Sequence, residues 1–187
     1  MTPIDRQLLE CDAPTVAPLL LNKVLAHGST AGRIVEVEAY TPDDPASHSA
    51  RGETRRNAAM FDRAGTLYCY VSYGIHVCAN VAVDEVGVGA AVLIRALDPQ
   101  RGLDVMRRRR SGRKDLVDGP GKLCQALGIG MEHNGLDLLD PTSPIDVYDD
   151  GVPPPSAPLV GPRIGLSVAR DTPWRWRVDR GQRQSIQ

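Results

Sequence analysis

The sequence predicts one mixed α/β domain, and three observations carry that expectation. The chain has 187 residues, the size of a single domain, with 42% hydrophobic and 24% charged residues, an ordinary globular balance. Several short runs alternate apolar and polar residues and are joined by glycine-containing turns, the pattern of antiparallel hairpins. Helix starts stand among them at Asp12-Ala13-Pro14 and at Gly119-Pro120. Residues 150–158, with four prolines and one glycine, read as an extended loop that does not split the chain. The expected organisation is a single domain over 1–187, with 181–187 a disordered polar tail.

Taken in order, Asp12 opens a helix that Pro18 keeps short. Residues 23–27 and 33–40 are strands flanking a loop over 28–32, and parity puts Ile34, Glu36, Glu38 and Tyr40 on one face. A short helix is expected over 54–61 with Thr54 as its cap. Leu67, Cys69 and Val71 then alternate with Tyr68, Tyr70 and Ser72 up to a hairpin tip at Tyr73-Gly74, and the return strand runs over 75–83. Residues 89–97 form a further apolar strand, after which Asp98-Pro99 reads as a helix start with Arg107 to Arg110 in its last turns. A second helix runs from Gly119-Pro120 to Leu127, and shorter strands and loops complete the chain.

Composition excludes several classes. No stretch approaches the roughly 18 apolar residues of a membrane span, and the amino-terminal residues lack an apolar leader, so the expected location is cytoplasmic. Cys11, Cys69, Cys78 and Cys124 are irregularly spaced with no CxxC pair, which predicts reduced structural thiols, no metal site and no disulfide framework. The net charge of −1 is low for a nucleic-acid binder, but charge is segregated. Residues 101–114 hold seven basic side chains against Asp104 alone, whereas residues 137–150 hold five aspartates and no Lys or Arg. The plain reading of the basic run is a solvated helix face; the sharper one is a surface for phosphates.

Individual residues ask for explanations. Tyr73 is a large ring at a tight turn, where a small polar residue would serve, so it either folds back on its hairpin or wedges into a base stack. Glu38 lies in an apolar strand, and a buried carboxylate costs several kcal/mol unless paired. It is either a general base or the ion-pair partner of Arg33 or Arg95. Glu36, two residues away and so roughly 6.5–7 Å distant, fits an acid–base pair equally well. His48 sits in a polar loop, Arg95 near the end of a buried strand needs an anion, and Lys122 follows a glycine-rich helix start suited to one.

The segments RIVEVEAY (33–40), SHS (47–49), RNAAMF (56–61), GTLYCYVSYG (65–74), Asn80, LIRAL (93–97) and GPGKLCQALG (119–128) together resemble the alkyladenine (3-methyladenine) DNA glycosylases in residues, order and spacing. The resemblance covers roughly residues 8–178 and is far more specific than any single motif. It implies a curved antiparallel sheet with surrounding helices and a protruding hairpin that enters the minor groove. It implies a cytoplasmic monomer, nucleoid-associated if bacterial, that needs no cofactor and acts on double-stranded DNA containing damaged purines. Residue by residue, Glu38 matches the water-activating carboxylate and Arg95 the basic residue beside that water. Tyr40, His48 and Tyr70 match the side chains sandwiching a flipped base, Asn80 the pocket floor that disfavours guanine, and Tyr73 the intercalating residue. Lys122, with Arg107 and Arg109 of the basic run, is expected on the DNA backbone. The chain departs from the pattern at Glu53, Arg55 and His76, and again after Val178.

The implied activity is monofunctional: alkylated or deaminated purines are flipped out and cut by water, leaving an abasic site, since no lysine beside Glu38 or in the hairpin offers a Schiff base. Two other classes remain open from sequence, a small glycoside or nucleoside hydrolase using Glu36 and Glu38, and a non-catalytic minor-groove binder using Tyr73 and the basic run.

Overall fold

The computed structural model describes residues 2–179, so the expected tail at 181–187 lies outside the described residues. A strongly curled antiparallel sheet, a half-barrel, forms its frame. In chain order the elements are β1 (Thr2–Pro3), α1 (Ala13–Leu20), β2 (Val24–His27), β3 (Thr30–Tyr40), β4 (Leu67–Ser72), β5 (His76–Ala82) and β6 (Ala91–Arg101). Then come α2 (Leu103–Arg109), α3 (Pro120–Leu127), β7 (Ile145–Asp149), β8 (Leu159–Gly161) and β9 (Arg175–Arg177). The strands run β1-β7-β2-β3-β6-β5-β4 across the sheet. One edge of β3 is shared: β2 takes Thr30 to Arg33, and β9, itself paired with β8, takes Glu36 to Glu38.

One face of the sheet carries the core. Val37 and Ala39 of β3, Ala79 and Val81 of β5 and Val92 and Ile94 of β6 pack with Val16 and Leu20 of α1 and Leu123 and Leu127 of α3. Asp12 caps α1 by accepting the Thr15 N–H at 3.0 Å, as its position predicted. The opposite face of β4 and β6 holds Tyr68 and Ala91, packed against Ala59 and Met60. The alternation read along residues 67–72 is thus the partition between core and candidate site.

The structure corrects four expectations. The first hairpin loop is shorter than 28–32, because β3 already begins at Thr30 and leaves Gly28 and Ser29 as its tip. Ile34 joins the core with Val37 and Ala39 and does not share a face with Glu36. The cause is a pair of compensating bulges: Val35 is extra between the Ile34–Leu97 and Glu36–Ala96 partners, and Arg95 is extra on β6 before Val37 meets Ile94. Residues 54–61 form a short 3-10 turn at Ala58–Met60 in place of a helix, and the Thr54 N–H and hydroxyl donate to Asn57 Oδ1 at 2.6 and 2.8 Å. Asp98-Pro99 continues β6, and α2 starts only at Leu103.

That last correction has a steric origin. Pro99 pairs with Gly32 at a third irregularity, on a stretch of β6 beyond the Ala91–Leu93 segment that β5 covers. A proline is tolerated at such a bulge or edge. The chain then turns at Gly102, whose φ of +79° is left-handed and whose absent Cβ would lie 2.5 Å from the Ser29 carbonyl oxygen. Gly102→Ala therefore combines backbone strain with a clash against fixed backbone and should cost about 2 kcal/mol, lowering the melting temperature by roughly 4–8 °C in a domain of this size. Gly87→Ala, at φ +89° with nothing within 4 Å of the added Cβ, should cost less in the same thermal scan.

Candidate active site

The bulges turn Glu36, Glu38 and Arg95 onto a common face. Glu38 is fully buried, with 0% exposure. Its Oε2 accepts from the Tyr40 hydroxyl at 2.9 Å, and its Oε1 accepts from the Ile164 N–H at 2.8 Å and pairs with an Arg95 Nη1 3.2 Å away. All three partners donate, which suits a carboxylate. Glu36 is held differently: its Oε1 takes both Arg95 Nε and Arg175 Nη1, each at 3.1 Å. Arg95 lies between the two carboxylates, which decides between the two arginines that the sequence offered as their partner. Arg33 is paired elsewhere, with Asp150 at 2.6 Å.

Beside Glu38 opens a pocket of about 400 Å³ of empty space, its mouth included. Tyr40, His48, Tyr70 and Asn80, four residues spread over forty positions of sequence, line it together. Cross-strand register explains part of this, because Tyr68 faces Asn80 and Tyr70 faces Cys78 across the β4–β5 ladder. The rings are ordered: His48 meets Tyr70 edge-on at 4.5 Å between centroids, and Tyr68 stacks on Tyr70 at 5.8 Å. His48 Nδ1 shares a 2.8 Å hydrogen bond with the Tyr68 hydroxyl, and Asn80 Nδ2 donates to the Tyr68 carbonyl at 3.0 Å. Sequence reasoning passed over Tyr68 as a site residue, although its alternation with Tyr70 put it on the right face. It also passed over Met60 and Leu166, which close the pocket from the 3-10 turn and from the segment after β8.

Burial sets the protonation of this wall. It pushes the Tyr68 hydroxyl up to about 12, and raises Tyr40 further with help from the Glu38 charge and Tyr70 with help from Cys78. The phenols therefore remain proton donors near neutral pH. His48, although its outer edge is open to solvent, is shifted the other way, first by partial desolvation and then by the Arg56 charge.

Tyr73 stands at the tip of the β4–β5 hairpin with 86% of its surface exposed, and Ile75 beside it is 75% exposed. Tyr73 and Gly74 both have positive φ, 49° and 74°, and the Ile75 N–H closes the turn on the Ser72 carbonyl at 3.2 Å. Two consecutive left-handed residues suit the twist of a hairpin tip, with a tyrosine where the backbone prefers Asn or Gly, and Ile75 is the third residue of a loop closed by the Ser72–His76 pair. The Tyr73 hydroxyl is 3.9 Å from an ideal Cβ on Gly165, so the tip flanks the segment that carries Leu166 into the pocket.

The basic candidates are less free than their sequence implied. Arg107 is exposed and pairs with Asp104 at 2.9 Å, while Arg109 Nη1 donates to the Ala126 carbonyl at the end of α3. Arg110 is buried against Gln125 and the Asp115 carbonyl. The Lys122 ammonium sits between Asp115 and Asp118, 2.9 Å from each. Cys69, Cys78 and Cys124 are buried and Cys11 is exposed, all unbridged. Among the described residues, no group of three or more His, Cys, Asp or Glu could hold a metal ion, and no helix is long and apolar enough to cross a membrane.

Comparison with known proteins places the chain in a family. The family model described as methylpurine-DNA glycosylase (MPG) matches residues 7–182. A relative from Burkholderia orbicola (strain MC0-3), provisionally named 3-methyladenine DNA glycosylase, is 48% identical over 182 residues, covering 95% of this chain and 88% of its own. Relatives of the same provisional name from Nocardia farcinica (strain IFM 10152) and Methanoculleus marisnigri (strain ATCC 35101 / DSM 1498 / JR1) are 46% and 49% identical. They cover 94% and 89% of this chain, and 87% and 90% of their own.

The depressed His48 pKa has a measurable consequence. Its imidazole should titrate below 6.5 by NMR, and Arg56→Gln should move that midpoint upward by removing the second cause of the shift. Because the unfolded chain takes up this proton first, the group leaves stability unchanged above pH 6.5 and lowers it as pH falls from 6.5 through the folded midpoint. A midpoint at or above 6.5 would refute the neutral pocket histidine.

Proposed function

The chain belongs to the methylpurine-DNA glycosylase family and is a hydrolase of N-glycosyl bonds in DNA, and from that premise we propose that it flips an alkylated or deaminated purine into the Tyr40–His48–Tyr70 pocket and cuts it from deoxyribose with water. The observation that carries this reading is the fully buried Glu38 carboxylate, held by donors on both oxygens, one of them the hydroxyl of Tyr40, which lines the aromatic pocket. The relatives' provisional names point to 3-methyladenine among the substrates.

In this mechanism a purine between Tyr40, His48 and Tyr70 is bound by stacking, which every aromatic base accepts, so discrimination comes from pocket shape and from Asn80 at the floor. Alkylation or deamination makes the base a better leaving group. Glu38 orients and deprotonates the water that attacks C1′, and its charge, with Arg95 placed to fix it, stabilises the positive character developing on the sugar. The chain's three lysines are Lys23, Lys114 and Lys122, and none lines the pocket, which supports water as the nucleophile and an intact abasic strand as product. Glu36, whose Oε1 is shared by two guanidinium groups, serves as an anchor for Arg95 and not as a second acid. Tyr73 fills the vacated place in the stack, and Lys122 with Arg107 and Arg109 approaches the phosphates, each drawn from an existing partner.

Duplexes carrying single lesions, incubated with the protein and then cleaved by alkali at abasic sites, test the activity directly. Glu38→Gln should fold and bind DNA but excise roughly 10²-fold more slowly, while Glu36→Gln, still able to accept from Arg95, should lose much less. A larger loss for Glu36→Gln would transfer the role of base to that residue.

Tyr73→Ala should leave thermal unfolding unchanged, since the ring is almost wholly exposed. Its excision should slow more for a lesion in a fully paired duplex than for the same lesion in a bulge, where less stacking has to be replaced. Equal losses in the two contexts would remove the intercalating role.

A further inference from the structure

Behind the Tyr40 wall lies a buried ion pair that this mechanism leaves unused. Arg163 is 5% exposed and Asp44 4%. Arg163 Nη2 donates to Asp44 Oδ1 at 3.0 Å, and Nη1 donates to Asp44 Oδ2 and to the Ala39 carbonyl, the latter at 2.9 Å. The guanidinium carbon sits 4.6 Å from the Tyr40 ring centroid and 5.3 Å from that of Trp174. Its Nε makes no hydrogen bond among the described residues. Apolar side chains of similar volume commonly replace such a pair at no loss of stability, so packing by itself does not call for it.

What the pair touches gives it a use. Ile164, the residue after Arg163, supplies the N–H on Glu38 Oε1, and Tyr40, stacked on the guanidinium, supplies the hydroxyl on Oε2. Asp44 accepts the Ala46 N–H on its Oδ1 at 3.0 Å and the Ser47 N–H on its carbonyl at 2.9 Å, fixing the turn that leads Ala46 and His48 into the pocket. Leu166, three residues after Arg163, closes the other side. One ion pair thereby joins two segments that are 119 positions apart and controls a donor to each oxygen of the buried carboxylate.

We propose that Arg163 and Asp44 are positioning residues that set the plane of the Glu38 carboxylate, acting through Ile164 N–H and Tyr40 and touching no substrate atom. The proposal rests on the reading of Glu38 as the group that activates water. A misplacement of about 1 Å at a reacting group can cost on the order of 10²-fold in rate, whereas DNA binding by the outer surface does not depend on that plane.

Single-turnover excision of 3-methyladenine, the lesion that the relatives' names give, should be compared for wild type, Arg163→Lys, Glu38→Gln and the double variant. Binding to a duplex with an uncleavable abasic analogue is measured alongside. Arg163→Lys, which keeps the charge but loses the planar fork, should slow excision roughly 10- to 100-fold with unchanged analogue affinity. It should add little in the Glu38→Gln background, because its effect passes through that carboxylate. An equal loss in both backgrounds, or a parallel loss of affinity, would reduce the pair to a structural role. A Glu38→Gln variant of undiminished rate would instead overturn the assignment of Glu38 itself. If Arg163→Lys does not fold, Asp44→Asn, which keeps the acceptor for Ala46 N–H, carries the same cycle; failure of both to fold would make the pair a requirement of the fold and end the proposal.

Discussion

A carboxylate with no solvent contact is the constraint on which the rest of this molecule depends. Leaving Glu38 buried and unpaired would cost several kcal/mol, a large share of a domain's net stability. Its partners must therefore all be present in the folded state, and they come from Tyr40 on the same strand, Arg95 on the neighbouring strand and Ile164 from far down the chain. The sheet order β2-β3-β6 and the return of β9 to the edge of β3 are what bring these three to one point. A fold that failed to close the carboxyl-terminal segment would strand the carboxylate.

The two bulges are the local device that makes this arrangement compatible with a core. In an uninterrupted strand, side chains two apart share a face, so Ile34 and Glu36 would be forced to the same side. The extra residue at Val35 lets Ile34 face the core while Glu36 and Glu38 face the pocket side, and the extra Arg95 on β6 restores the register. The same insertion delivers the guanidinium between the two glutamates, where it neutralises charge that would otherwise repel. Bulges next to functional groups are common for this reason.

How much of this was legible follows the range of the interactions. The hairpin tip at Tyr73-Gly74, the face shared by Tyr68 and Tyr70, the Asp12 cap and the extent of α3 rest on neighbours in sequence, and they read correctly. The bulges, the continuation of β6 through Pro99 and the partner of Arg33 depend on what the facing strand offers, which alternation along one strand cannot register. Arg163 left no local signal at all: it is one of many arginines in the chain, set in a mainly apolar, glycine-containing segment, and only the return of that segment to Asp44 gives it meaning. The composition of the pocket was visible through the family resemblance, while Leu166 and Met60, ordinary apolar residues, were not.

The charge distribution shows why a net charge of −1 misjudges the surface. Much of the acidic run is consumed internally: Asp137 holds Arg6 and Arg63, Asp149 holds Lys23, and Asp150 holds Arg33. These pairs stitch β7 and its flanks to distant parts of the chain, three aspartates against four basic side chains. At the end of α2, by contrast, Arg108 is exposed, and Arg107, also exposed, is held only by Asp104 one turn earlier on the same helix. Lys122 is an intermediate case, since a phosphate reaching its ammonium must take it from Asp115 and Asp118. An exchange of one anion for another yields far less affinity than a first pairing, because the ammonium gains no new charge contact and the aspartates are left to water. On the proposed reading, the grip on DNA therefore depends more on the exposed Tyr73 and Ile75 at the hairpin tip, whose burial in the groove has no such competitor, than a count of basic residues in the sequence would imply.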